Sequence, residues 1–259
     1  MSTFGKVGAR SMLEHRKFAR DYVQDGLIAM WDGIENSGWG VHDTSTSTWK
    51  DLVGTMPYPI SVGSCTWSEN ALVNSSGSNV TLANRNGEYN NGALLKWWQN
   101  VGIFGERVGN NCNLVGDYTI EVAANINSAA STVGLLFYAA RQFFEFKQMT
   151  VVGLKKIVFI PADNWNNSGN IGYNLTGIPC SFSGVARVAS GSSQYVNNVL
   201  FKTGTSVWPT NRPYDPRYNT QFILPASSSF YSYRFYNRAL TADEVAYNYS
   251  IDKIRFNLP

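Results

Sequence analysis

The chain carries little charge, few cysteines, few histidines and no long apolar run, and each shortage excludes something. Only 15% of its 259 residues are charged, and 21 basic against 18 acidic side chains leave a net charge of +3. A surplus this small and scattered does not form the basic stripe that nucleic acid requires. The densest basic group, Lys6, Arg10, Arg16, Lys17 and Arg20, is diluted by Glu14, Asp21 and Asp25 and reads as a solvated face. The three cysteines, Cys65, Cys112 and Cys180, are odd in number and widely spaced. They suit neither a disulfide framework nor a C-x-x-C zinc site, and small buried thiols are expected. No stretch approaches the roughly 18 apolar residues of a membrane span. The opening residues (MSTFGKVGAR) lack the apolar core of a secretory leader, so none is expected. The sequons at Asn74, Asn79, Asn166, Asn174 and Asn248 are then expected to be chance products of an Asn- and Ser-rich chain.

Catalytic patterns are also missing. Sandwich glycosidases place carboxylates two residues apart on one strand, because a period of 2 points both into one cleft. No acidic residue here has another two positions on, and Glu121 and Glu145 are lone strand carboxylates. There is no G-x-S-x-G elbow and no glycine-rich phosphate loop, so no enzyme is expected. Of the two histidines, His15 falls in a helical stretch and His42 beside Asp43. A hydrogen-bonded loop histidine is the expectation there, with metal ligation the less frequent alternative. Asp32, Glu35, Asn36 and Asp43 lie close in sequence, as do Asp163, Asn164, Asn166 and Asn167, but neither set has a calcium-loop spacing. No metal or other cofactor is assigned.

What the chain does have is aromatics (14%) and 23 glycines, a composition suited to strands joined by many turns. Residues 119–126 (TIEVAANI) alternate, with Ile120, Val122, Ala124 and Ile126 on the face expected to be buried. Residues 133–139, 143–147 and 157–160 are further strand candidates. Residues 195–201 read as a hairpin turning at Asn197-Asn198. Residues 230–237 (FYSYRFYN) carry aromatics on both faces, as a central or doubly covered strand would. Two helices are expected. One is an amphipathic segment over 11–24. The other is a short helix capped by Thr241 and Glu244, stapled by Leu240 and Val245, and ending near Tyr249. Strands spread along the chain with almost no interleaved helix favour an all-β, two-sheet antiparallel jelly-roll sandwich. Residues 1–25 are expected to form a separate arm and 26–259 the sandwich.

Five segments in order resemble the laminin-G and concanavalin-A-like superfamily. These are 26–32 (GLIAMWD), 48–54 (TWKDLVG), 119–126, the 185–201 hairpin, and above all 229–249 (SFYSYRFYNRALTADEVAYNY). The resemblance implies a sandwich closed at one end by the C-terminal strand and helix, with Trp31 and Trp49 in the core. The resemblance leaves calcium possible near the rim of the sandwich, but Ser232-Tyr233 stands where that family has an acidic pair and Asn198 where it has a hairpin glycine, so no calcium site is assigned. The opening and ending are also similar to LamG-like proteins of phages and prophages of gut bacteria. This implies a non-catalytic virion protein (head fibre, decoration or tail-associated), assembled in the bacterial cytoplasm, with itself or other virion proteins as partners. The alternative is a lectin-like module for host-surface glycans.

A sugar site needs an aromatic platform beside amides or charges. Trp165 with Asn164, Asn166 and Asn167 (DNWNN) fits that composition best. Trp208 with Arg212 and Tyr214 (WPTNRPYDPRY) comes second. Core capping is the alternative role for both loops, and Trp97-Trp98 is ambiguous in the same way.

Overall fold

The computed structural model describes residues 17–56, 60–83, 93–108, 111–126, 133–139, 144–151, 154–161, 177–204, 212–213 and 221–259. Two antiparallel sheets form a jelly-roll-type sandwich. The larger runs Val199–Gly204, Gly191–Val196, Cys180–Arg187, Tyr118–Ile126, Ser228–Tyr236, Leu72–Asn74, Thr66–Trp67, and Leu27–Asp32 pairs with the later half of Ser228–Tyr236. The smaller runs Leu154–Pro161, Phe144–Val151, Val133–Ala139, Gln221–Leu224, Val80–Ala83. Helix α1 is Ala93–Asn100 and helix α2 is Ala242–Phe256. No helix among the described residues is long and apolar enough to cross a membrane.

The core lies between the sheets. Ile120, Val122, Ala124 and Ile126 meet Phe182, Phe230, Tyr233 and Phe235 and, from the smaller sheet, Leu82 and Leu224. Each such side chain contributes roughly 1.5–3 kcal/mol by leaving water. Trp31 and Trp49 are buried in this cluster, as the resemblance implies, and so are Trp97 and Trp98 from α1. The register of Ser228–Tyr236 against Tyr118–Ile126 slips between Phe230 and Ser232, where Tyr231 is the extra residue of a bulge. The slip keeps Phe230, Tyr233 and Phe235 in the core cluster and puts Ser232, Arg234 and Tyr236 on the opposite face.

Local chemistry sets the turns. Asn197 (φ 47) and Asn198 (φ 66) both adopt the left-handed backbone of a two-residue hairpin. The Asp51 carboxylate gathers the backbone N–H groups of Met30, Val53, Thr55 and Met56 at 2.9–3.1 Å, tying the 48–54 turn to the first strand. At α2, the Thr241 hydroxyl accepts from the Glu244 N–H (3.2 Å) and Glu244 Oε2 accepts from the Thr241 N–H (2.8 Å). Leu240 and Val245 pack in one cluster beside this cap.

Three expectations need correction. Helix α2 continues to Phe256, with Asn257 in the left-handed cap position. It extends past Tyr249 because Asp252 and Arg255 bond inward rather than to water. The part of the 11–24 helix within the described residues is a single 3-10 turn, Ala19–Asp21, followed by an extended Tyr22. Tyr22 and Ala19 pack with Met30, Leu52 and Ile251. Finally, Tyr118–Ile126 is buried on both faces, with Asn125 alone partly exposed, because α2 and residues 17–25 lie over the sheet's outer side. Of the sequons, Asn74 and Asn248 are buried and hydrogen-bonded and so closed to modification.

Candidate functional site

Two polar places flank helix α2. The first is sealed. The Arg234 guanidinium, fully buried on the central strand, pairs with Glu121 (2.9 Å) and with both oxygens of Asp252 (2.7 and 2.8 Å). Ser183 and Asn248 donate to Glu121, and Ser181 and the Tyr22 hydroxyl donate to Asp252. The Arg234 guanidinium also lies 4.0 Å over the Tyr22 ring. Burial, then the Asp252 charge, pushes the Tyr22 hydroxyl well above its ordinary range, so it stays protonated and donates. Burial also raises the Glu121 carboxyl, against the pull of Arg234. Every oxygen of Glu121 and Asp252 is bonded, so the cluster holds α2 in register and offers nothing to a substrate.

The second place is open. A cleft of about 460 Å³ lies between the C-terminal half of α2 and the loop after Leu27–Asp32. Arg255 and Glu35 line it, together with the apolar Phe18, Ile34 and Ile254. Beneath them, Asp32 Oδ1 accepts from Arg255 Nη2 (2.6 Å) and from the N–H groups of Ile34 and Glu35 (both 2.9 Å). Burial raises the Asp32 carboxyl, partly offset by Arg255. Arg255 Nη1 donates to Glu35 Oε1 (3.1 Å) and to the Lys17 carbonyl (2.8 Å). Glu35 also takes the Ala19 N–H on Oε1 and the Gly40 N–H on Oε2, both at 2.7 Å. The Arg255 Nε–H and Asp32 Oδ2 are buried without partners among the described residues.

The mouth of the cleft is a tight turn. Val41 bonds back to Gly38 (2.9 Å), and Gly40 has a φ of +72° that a β-carbon would strain. Between the two glycines Trp39 stands 44% exposed. His42 lines the cleft and its Nδ1 lies 3.1 Å from the Ile34 carbonyl. A carbonyl only accepts, so Nδ1 carries the proton. Lys17 lines the cleft as well.

The sandwich is similar to part of a sialidase. A mutant of Trypanosoma rangeli sialidase displaying trans-sialidase activity matches at a TM-score of 0.57 and 12% identity, over 89% of this chain and 33% of that one. The Trypanosoma rangeli sialidase itself matches at 0.56 and 14%, over 88% and 33%. This chain thus spans about a third of the sialidase's length, and the likeness is one of fold. No family model and no curated protein matches the sequence.

Trp165, Asn164, Asn166, Asn167, Trp208 and Tyr214 lie outside the described residues, and Arg212 opens the short Arg212–Pro213 strand paired with Asn111–Leu114. Of the first suspected acidic set, Asp32 and Glu35 bind Arg255. Asn36 pairs with the Asp43 backbone in both directions at 2.8 Å, which closes the base of the loop. Among the described residues no three His, Cys, Asp or Glu side chains gather as metal ligands would. Sequence reasoning missed Trp39, whose signal was a tryptophan between two glycines. It also missed Arg255, which carries no local signal.

Proposed function

We propose that the chain is a non-catalytic sandwich module of the LamG-like kind that works by adhesion, and that it meets carbohydrate at the cleft beside Trp39. The observation that carries this reading is an exposed indole on a glycine-flanked turn, next in sequence to Gly40, which lines an open cleft. Sugars offer an apolar ring face to an aromatic and hydroxyls to nearby polar groups. Hydrolysis on such a fold takes two carboxylates roughly 5–10 Å apart with oxygens free to act. Here Glu35 is bonded on both oxygens and Asp32 is sealed beneath it. On a glycan array, Trp39→Ala is expected to lower binding about tenfold, the value of one aromatic contact, with thermal stability unchanged. Undiminished binding by that variant overturns the cleft as the site and returns attention to Trp165.

The resemblance to phage LamG-like proteins supports a virion setting for the same module. A separate observation favours contacts between copies. Val199 and Leu200 are 67% and 51% exposed on Val199–Gly204, an edge strand with one row of backbone groups unpaired in the sheet. Light scattering tests it. A dimer or larger species that Val199→Lys dissociates supports assembly through this edge, and a monomer at micromolar concentration overturns it.

A further inference from the structure

Resting on the carbohydrate reading above, the charges around the cleft specify the kind of sugar. The carboxylates near it are committed, save for Asp32 Oδ2, which is sealed from the cleft without a partner among the described residues. Glu35 is held by two backbone N–H groups and Arg255, and Asp32 by Arg255 and two more. Asp21 folds back onto the Phe18 N–H at 2.7 Å, and Asp43 onto Ser45 at 2.6 and 2.8 Å. The basic groups are in the opposite condition. Lys17 lines the cleft and its ammonium has no bonding partner among the described residues. The Arg20 guanidinium rests 5.0 Å over the ring of Phe18, a wall of the cleft. The Lys50 ammonium stands beside Gly38 at the base of the Trp39 turn. Arg255, whose side chain is 2% exposed, keeps one N–H with no acceptor among the described residues. The surroundings of the cleft therefore carry a surplus of positive charge.

We infer that the cleft selects acidic sugars: a pyranose bearing a carboxylate or sulfate, with the anion toward Lys17 and the ring against Phe18, Ile34 and Ile254. An anion answers uncommitted donors with charge-assisted hydrogen bonds, roughly twice as strong as neutral ones. A neutral sugar leaves the positive charges unanswered. The apolar wall and the flanking indole favour a ring over a flexible acidic peptide, whose charged side chains present no such face.

The test is an array of matched pairs, each glycan with and without its acidic residue (sialyl, uronyl or sulfated), together with an oligoglutamate peptide. The acidic member of a pair is expected to bind at least tenfold tighter, and the advantage should shrink as salt rises. Lys17→Ala is expected to remove the preference, and Lys17→Arg, which keeps the charge, to retain it. Lys17 lies at the surface, so melting temperature serves as the folding control. The sialyl, uronyl and sulfated arms separate carboxylate from sulfate as the source of the anion. Equal binding of the acidic and neutral members overturns this inference and leaves the carbohydrate reading standing. Binding of the peptide as tightly as the acidic glycan also overturns it. No binding to any glycan overturns both.

Discussion

The two faces of the larger sheet are buried by opposite means. On the inner face, Ile120, Val122, Phe182, Tyr233 and Phe235 pack against apolar partners. On the outer face of the same strands, Glu121, Ser181, Ser183, Ser232 and Arg234 are just as inaccessible, but hydrogen-bonded to one another and to Asp252 and Asn248 of α2. Apolar packing is non-directional and tolerates volume-conserving exchange. The polar side is directional: each bond names its partner, and a helix shifted by one turn would lose all of them. The inner face thus supplies most of the stability and the outer face fixes where α2 and residues 17–23 sit.

The sharpest test of that contrast removes Arg234. Arg234→Met is expected to cost about 3–5 kcal/mol, because two buried carboxylates lose the cation they share, and urea unfolding measures it. Adding Glu121→Leu and Asp252→Leu is expected to recover part of the loss, since an apolar replacement of a whole buried ionic cluster is often near neutral. No recovery would mean that the cluster contributes strength as well as position. On the inner face, Ile120→Val is expected to cost about 0.5–1.5 kcal/mol in the same assay. A cost as large as that of Arg234→Met would break the distinction.

The smallest effect belongs to the exposed end of α2. Hydrogen bonds from Arg238 (2.6 and 2.8 Å), then the Thr241 N–H, hold the Glu244 carboxyl at about 2. A carboxyl lowered in the folded state stabilises above its unfolded pKa and loses that contribution as pH falls through the folded value. Glu244→Gln is therefore expected to cost about 0.2–1 kcal/mol at pH 7, with the difference from wild type closing between about pH 4.5 and 2. A gap of equal size at pH 2 would refute the pair as its cause.

The same contrast explains what was legible in the sequence. Elements governed by local chemistry were readable: the Asn197-Asn198 turn, the Thr241 and Glu244 cap, and the alternating residues 119–126. Apolar periodicity found the inner face because that face is apolar. It stopped α2 at Tyr249 because the buried side of that helix interrupts Val245, Ile251 and Phe256 with Asn248 and Asp252, polar residues that read as solvent-facing until their distant partners are known. The cleft was hidden for the same reason. Arg255 reaches Asp32 and Glu35 across more than two hundred positions, and no window of sequence holds both sides. The amide-rich loop around Trp165 attracted attention by composition, whereas Trp39 is marked by backbone geometry.

The hydrogen bonds between residues 17–23 and α2 carry a mechanical consequence. Arg255 holds the Lys17 carbonyl, Asp252 holds the Tyr22 hydroxyl, and Asn248 accepts from the Val23 N–H. A pull applied through residues 17 and 256 would meet this clasp before it reached the sheet. The three bonds are ordered along the segment and would open one after another, like a zipper. The sandwich behind them would keep its strands paired until the clasp had released.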